Sequence, residues 1–231
     1  MAKSWELFTQ RFIEDGAYRA VLDGLLVTLQ IAVIGLLIGI VIGTLIAIVK
    51  VMPKYKRLPR VLDGICTVYV AFFRGTPIMV QLLIGYFVLL PAIGLRMSGL
   101  WVAVMIYGMN SGAYVSEIMR GGINSVDVGQ LEAARALGMS YSVSMLKVVV
   151  PQAVKNILPT MGNEFITLIK DTSVVSFIAV IDVTKAFRQI GDSTYEYIIP
   201  YLMLALVYLI LVGLIALLVK IIEGRLKRNE R

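Results

Sequence analysis

The chain has no histidine and one cysteine in 231 residues. A single cysteine excludes an intrachain disulfide, and a chain without histidine has little with which to hold a transition metal. Cys66 sits in an apolar stretch and reads as inert packing. No G-x-x-x-x-G-K-[ST] string occurs, so no phosphate-cradling loop of that kind is present. Charge is also scarce. Only 16% of residues are Asp, Glu, Lys or Arg. No low-complexity segment and no internal repeat of about 20–50 residues interrupts the chain.

What is abundant is apolar. Hydrophobic residues make up 58%, with a mean hydropathy of +0.84, where soluble domains lie near about 45–50%. Residues 24–49, 75–95, 97–116 and 197–219 contain no charge at all. Runs of about 20 residues cross roughly 30 Å of hydrocarbon at about 1.5 Å per residue. The expected fold class is therefore all-α transmembrane, with five spans near 18–49, 58–90, 98–119, 142–181 and 195–222. The second is interrupted at Arg74-Gly75-Thr76-Pro77, and the fourth is polar with breaks.

The net charge of +7 does not point to nucleic acid, because the basic residues collect at the ends of apolar runs. Lys50, Lys54, Lys56, Arg57 and Arg60 fill the first loop; Lys220, Arg225, Lys227, Arg228 and Arg231 fill the tail. Such clusters mark cytoplasmic loops. The loops then fit an N-terminus outside and a C-terminus in the cytoplasm, in a cell (inner or plasma) membrane. Residues 1–17 read as an amphipathic segment at the outer surface, with Trp5, Phe8 and Phe12. They mix Lys3 and Arg11 with Glu6, Glu14 and Asp15, unlike a cleavable signal peptide. Trp101, Tyr195, Tyr197 and Tyr201 fit an aromatic belt. Residues 18–231 read as a single domain.

A short cytoplasmic helix is expected over about 127–138. Asp127 can cap it, with Gln130 as reciprocal partner. Ala133, Ala134 and Ala136 favour helix, and Gly138 suits the left-handed stop. Val128, Leu131, Ala134 and Leu137 form an apolar stripe, and Ser140 can cap the next helix, which meets Pro151.

Polar groups inside the membrane are candidates for function, since each charge costs roughly 2.5–3.5 kcal/mol to insert. Thr160, Asn163, Glu164, Thr167, Lys170 and Asp171 make one polar stripe in the fourth span. Two readings stand. Glu164 and Asp171 pair with Lys170 or nearby donors and hold helices together, or the stripe lines a substrate route that offers both anionic and cationic partners. Thr76 can cap a half-helix that begins at Pro77, with Arg74 just before it and Gln81 one turn in; such a half-helix aims its positive end at a cavity. A proline kink with Arg74 snorkelling is the alternative. Asn110 and Glu117 share a face, and Glu117 can also pair with Arg120, as a gate or packing residue.

Glu132-Ala133-Ala134, three residues, Gly138, nine residues, Val148, one residue, Val150-Pro151 resembles the EAA signature of ABC importer permeases, EAA-x3-G-x9-I-x-LP, with valine at two aliphatic positions. Phe73-Arg74-Gly75-Thr76-Pro77, Asn163-Glu164-Phe165 and Lys170-Asp171-Thr172-Ser173 resemble the polar-amino-acid branch (histidine, glutamine, arginine type) of that family. The resemblance implies a transport subunit without enzymatic activity that carries a polar or charged amino acid into the cytoplasm. It implies a second permease copy or homologue, a cytoplasmic ABC ATPase dimer that binds ATP and Mg, and an extracytoplasmic amino-acid-binding protein. By the same resemblance Glu132, Ala133, Ala134 and Gly138 couple to the ATPase. As polar groups inside the membrane, Arg74, Thr76, Gln81, Asn110, Glu117, Asn163, Glu164, Lys170 and Asp171 are the candidates for the substrate or its pathway. An ATPase-independent secondary transporter and a structural subunit of a membrane enzyme complex are the competing readings. The first also suits broken helices and buried charges; the second leaves the EAA string as coincidence.

Overall fold

A computed structural model describes residues 2–53, 55 and 57–228. Lys54 and Lys56 of the first basic cluster and Arg231 of the second lie outside them, as do the side chains of Lys227 and Arg228. The described elements are all helical: α1 (Ala2–Thr9), α2 (Tyr18–Val51), α3 (Arg57–Gly75), α4 (Ile78–Ile84), α5 (Gly99–Asn124), α6 (Val128–Ala136), α7 (Val150–Asp171), α8 (Val183–Thr194) and α9 (Ile198–Arg228). Short π-type turns extend α1 over Gln10–Glu14 and α4 over Gly85–Leu89, and another leads into α7 over Met145–Val149. A 3-10 turn, Thr172–Ile178, ends the α7 region.

Among the described residues, α2 and Ile198–Arg225 of α9 are long and apolar enough to cross a membrane. The α3 helix and the Ile78–Ala92 segment form a third candidate, bent by 106° at the break. The expected interruption thus falls where the sequence puts it. Leu209, Leu214, Leu217 and Leu218 of α9 are exposed, as a lipid-facing surface requires, since acyl chains are as apolar as leucine.

The core is built on α2 against α5. Gly35, Gly39 and Gly43 repeat every four residues along one face of α2, opposite Tyr107, Ser111 and Val115 of α5. A Cβ on Gly39 would stand 2.6 Å from the Ser111 hydroxyl, and one on Gly43 would stand 2.6 Å from Val115 Cγ1. Small residues let backbones approach where lipid supplies no hydrophobic drive between helices. Ile31, Leu82, Tyr107, Leu168 and Ile178 are buried beside this seam and tie α2, α4, α5 and α7 together.

Phe8 is buried and packs with Val21, Phe187, Ile190 and Ile199, while the Phe12 ring stacks on Phe187 at 6.4 Å. Two of the three aromatics expected at a surface are therefore spent on α8 and α9. Trp5 is exposed.

Candidate functional site

Proline explains the 106° break. In an unbroken helix the N–H of residue 77 would donate to the Phe73 carbonyl, and Pro77 has none. Proline also disfavours helical geometry at the residue before it. The last carbonyls of α3 are left without helical partners, and side chains supply donors. The Thr76 hydroxyl donates back to the Phe72 carbonyl at 2.8 Å. Gln81 Nε2 lies 2.9 Å from the Phe73 carbonyl, 3.0 Å from that of Thr76 and 2.8 Å from the Thr76 hydroxyl. Asn110 Nδ2 donates to the Phe73 carbonyl at 3.2 Å and to Gln81 Oε1 at 3.0 Å. Both amides are buried. An unsatisfied buried carbonyl would cost about 1–3 kcal/mol.

This corrects the expectation for Thr76. Pro77, not Thr76, holds the N-cap position of α4, with no side-chain cap, and the threonine hydroxyl points back at α3. Gln81 serves the bend, and Asn110 serves it too while also lining a cavity.

That cavity, about 410 Å³, is lined by Arg74, Gly75, Thr76, Pro77 and Ile78 at the break, Asn110 and Tyr114 of α5, and Glu164, Thr167, Leu168 and Asp171 of α7. A second, of about 700 Å³, is lined by Arg74, Tyr114, Glu117, Ile118, Gly121, Gly122, Ser125, Asn156 and Thr160. Arg74 and Tyr114 belong to both linings. The Arg74 guanidinium stands 5.4 Å from the Tyr114 ring centroid, and its Nη1 is 3.9 Å from Glu117 Oε2. Glu117 also takes Arg120 Nη2 at 2.6 Å and Lys50 Nζ at 3.5 Å. The expected Glu117–Arg120 pair is present, and it is one arm of a cluster with three cations. Lys50 of the first basic cluster is thus part of it.

The polar stripe divides. Glu164, Thr167 and Asp171 line the first cavity, and Thr160 lines the second. Asn163 and Lys170, expected in the same stripe, are exposed and line neither. The helix brings residues 160, 164, 167 and 171 onto one side, and 163 and 170 fall beside it. Tyr114 was missed. Its position one turn after Asn110 and one turn before Glu117 was the available signal.

At the other end, Asp127 Oδ1 accepts from Gly129 N at 2.6 Å and caps α6. Gly138 takes φ +83°, the left-handed stop. Met139 N donates to the Ala134 carbonyl at 3.2 Å, and Gly138 N to that of Arg135 at 3.0 Å. The Ser140 hydroxyl caps the next turn by accepting from Val143 N at 3.4 Å. Gln130 departs from expectation: its Oε1 meets Gln152 Nε2 at 3.4 Å instead of reaching back to Asp127. The apolar stripe also divides. Ala134 is buried, and Leu131 packs on the Val126, Val149, Ala153 and Ile157 cluster. Val128 is 67% exposed and Leu137 is 84% exposed. Glu132, Ala133 and Gly138 are exposed beside them.

Among known proteins, the chain is 40% identical over 210 residues to an arginine transport system permease protein, ArtQ, of Bacillus subtilis (strain 168), covering 91% of this chain and 94% of that protein. It is 41% identical over 209 residues to a putative glutamine transport system permease protein, GlnP, of Rickettsia conorii (strain ATCC VR-613 / Malish 7), covering 90% and 94%. Among solved structures, a crystal structure of an amino acid ABC transporter with histidines superposes with a TM-score of 0.83 at 36% identity, covering 90% of this chain and 94% of that one. Residues 35–228 match the family described as the binding-protein-dependent transport system inner membrane component. Spanning most of the chain and joined by close relatives, that match places this protein in the family: it is a membrane permease of the ABC transporter type.

Proposed function

We propose that this chain is the permease subunit of an ATP-driven importer that carries a polar or charged amino acid into the cytoplasm. One observation carries the reading of cargo. The cavity gathers a guanidinium, Arg74, and two carboxylates, Glu164 and Asp171, at one wall-to-wall site within the helices. An amino acid has one anionic and one cationic group, and this lining complements both. The relatives named for arginine and for glutamine support that class.

The exposed helix supports coupling to a soluble ATPase. Val128 and Leu137 leave apolar surface uncovered, with Glu132 beside it. The chain adopts five spans with its N-terminus outside, and it pairs with a second permease copy or homologue. An extracytoplasmic amino-acid-binding protein delivers the cargo, and ATP and Mg sit on the partner ATPase. Glu132, Ala133 and Gly138 face that ATPase. Ala134 instead lets α6 lie close to its own membrane domain.

Co-purification of the tagged chain in mild detergent, followed by reconstitution in vesicles, tests this. A stoichiometric ATPase and ATP-dependent uptake of radiolabelled arginine or glutamine are expected. Uptake driven by an ion gradient, by a chain that purifies alone, would overturn the reading.

A further inference from the structure

The cavities account for Arg74, Glu164 and Asp171. They leave unexplained why two buried amides, Gln81 and Asn110, converge on one backbone carbonyl. Pro77 makes that carbonyl an orphan, and Phe73, which carries it, directly precedes Arg74. Gln81 and Asn110 also bond each other at 3.0 Å, so α4 and α5 grip the end of α3 through one connected group. Arg74 itself is held only loosely from the side, by the Tyr114 ring at 5.4 Å and the Glu117 carboxylate at 3.9 Å. Its backbone is the well-determined part.

We infer that Gln81 and Asn110 are positioning residues for transport: by fixing the Phe73 carbonyl they hold Arg74 at the junction of the two cavities, where it meets the cargo's carboxylate. This rests on the reading of the cavities as the route. Neither amide needs to touch cargo. Gln81 is absent from both cavity linings, and the Asn110 amide is committed to the clamp. The direction of action is from clamp to guanidinium. The amides matter only while Arg74 is there to be aimed.

The test is a double-mutant cycle in the reconstituted complex, with the ATPase and the binding protein present. The readout is arginine taken up per ATP hydrolysed, which a general loss of folded complex leaves unchanged. Gln81→Met keeps the length and removes the donor; Asn110→Leu does the same on α5. Each is expected to lower uptake per ATP about tenfold, as Arg74→Ala does, and neither lowers it further once Arg74→Ala is present. Losses that multiply in the double variants would show that the amides act elsewhere and overturn the inference. So would unchanged uptake per ATP in both single variants while Arg74→Ala is impaired. If Arg74→Ala is itself silent, the reading of the cavities fails, and the inference falls with it. If Gln81→Met does not assemble with the ATPase, Asn110→Leu carries the cycle. Failure of both to assemble would make the pair a fold requirement and overturn the role in transport.

Discussion

Arg120 Nη2 lies 2.6 Å from Glu117 Oε2, one turn away on the same helix, and this pair anchors a cluster that also takes in Lys50 and Arg74. One carboxylate thus faces three cations from α2, α3 and α5. Neutralising it should be worse than removing any one cation. Glu117→Gln is expected to lower stability by about 1 kcal/mol, a small figure because the arginines are nearly half exposed and water screens them. Thermal unfolding in detergent checks this. A variant as stable as the parent would mean that the cluster contributes no net energy.

The seam between α2 and α5 gives a prediction independent of function. Gly43→Ala puts a methyl 2.6 Å from Val115 Cγ1 and 2.9 Å from the Ser116 amide nitrogen. Helix backbones do not yield easily, so overpacking should cost about 1–3 kcal/mol. Adding Val115→Ala removes the Cγ1 contact but leaves the residue-115 Cβ at 2.7 Å and the Ser116 nitrogen at 2.9 Å, and should restore only part of the loss. Melting temperatures of the three variants decide it. Full restoration would place the whole clash in the valine.

Coupling can be separated from folding at α6. Glu132→Ala and Gly138→Leu should both abolish uptake while the chain still inserts. They differ in mechanism. Glu132 is exposed, so its loss should leave stability unchanged. Gly138 holds φ +83°, and leucine there costs about 1–3 kcal/mol. Co-purification of the ATPase, measured beside melting temperature, distinguishes the two. Normal uptake in both variants would remove the coupling role.

The two carboxylates of the first cavity should report on cargo. Glu164→Gln and Asp171→Asn keep the shape of each side chain and remove its charge. If they hold the ammonium group or a cationic side chain, uptake falls at least about tenfold, equivalent to about 1.4 kcal/mol. ATPase association should not change, because no residue of α6 lines the cavity. Unchanged uptake would return both residues to helix packing.

Several features were legible in the sequence because they depend on near neighbours alone. The uncharged runs 24–49 and 197–219 required helices long enough for a bilayer, and both are there. Pro77 required a break, since a missing N–H cannot be supplied at a distance in sequence without a side chain reaching in. Asp127 and Gly138 bounded α6 because capping is a local matter of a side-chain oxygen and a positive φ. The division of labour among polar residues was not local. Gln81 and Asn110 are 29 residues apart, and Asn110 and Phe73 are 37 apart. From sequence, each was a polar group inside a membrane, equally suited to cargo or to carbonyl. Only the packing of α5 against the break decided that both serve a backbone orphan. The same packing turned Arg74 toward Tyr114 and Glu117, and left Asn163 and Lys170 outside the cavity that Glu164 and Asp171 line. A sequence determines which groups need partners; which partner each one finds is decided when the helices meet.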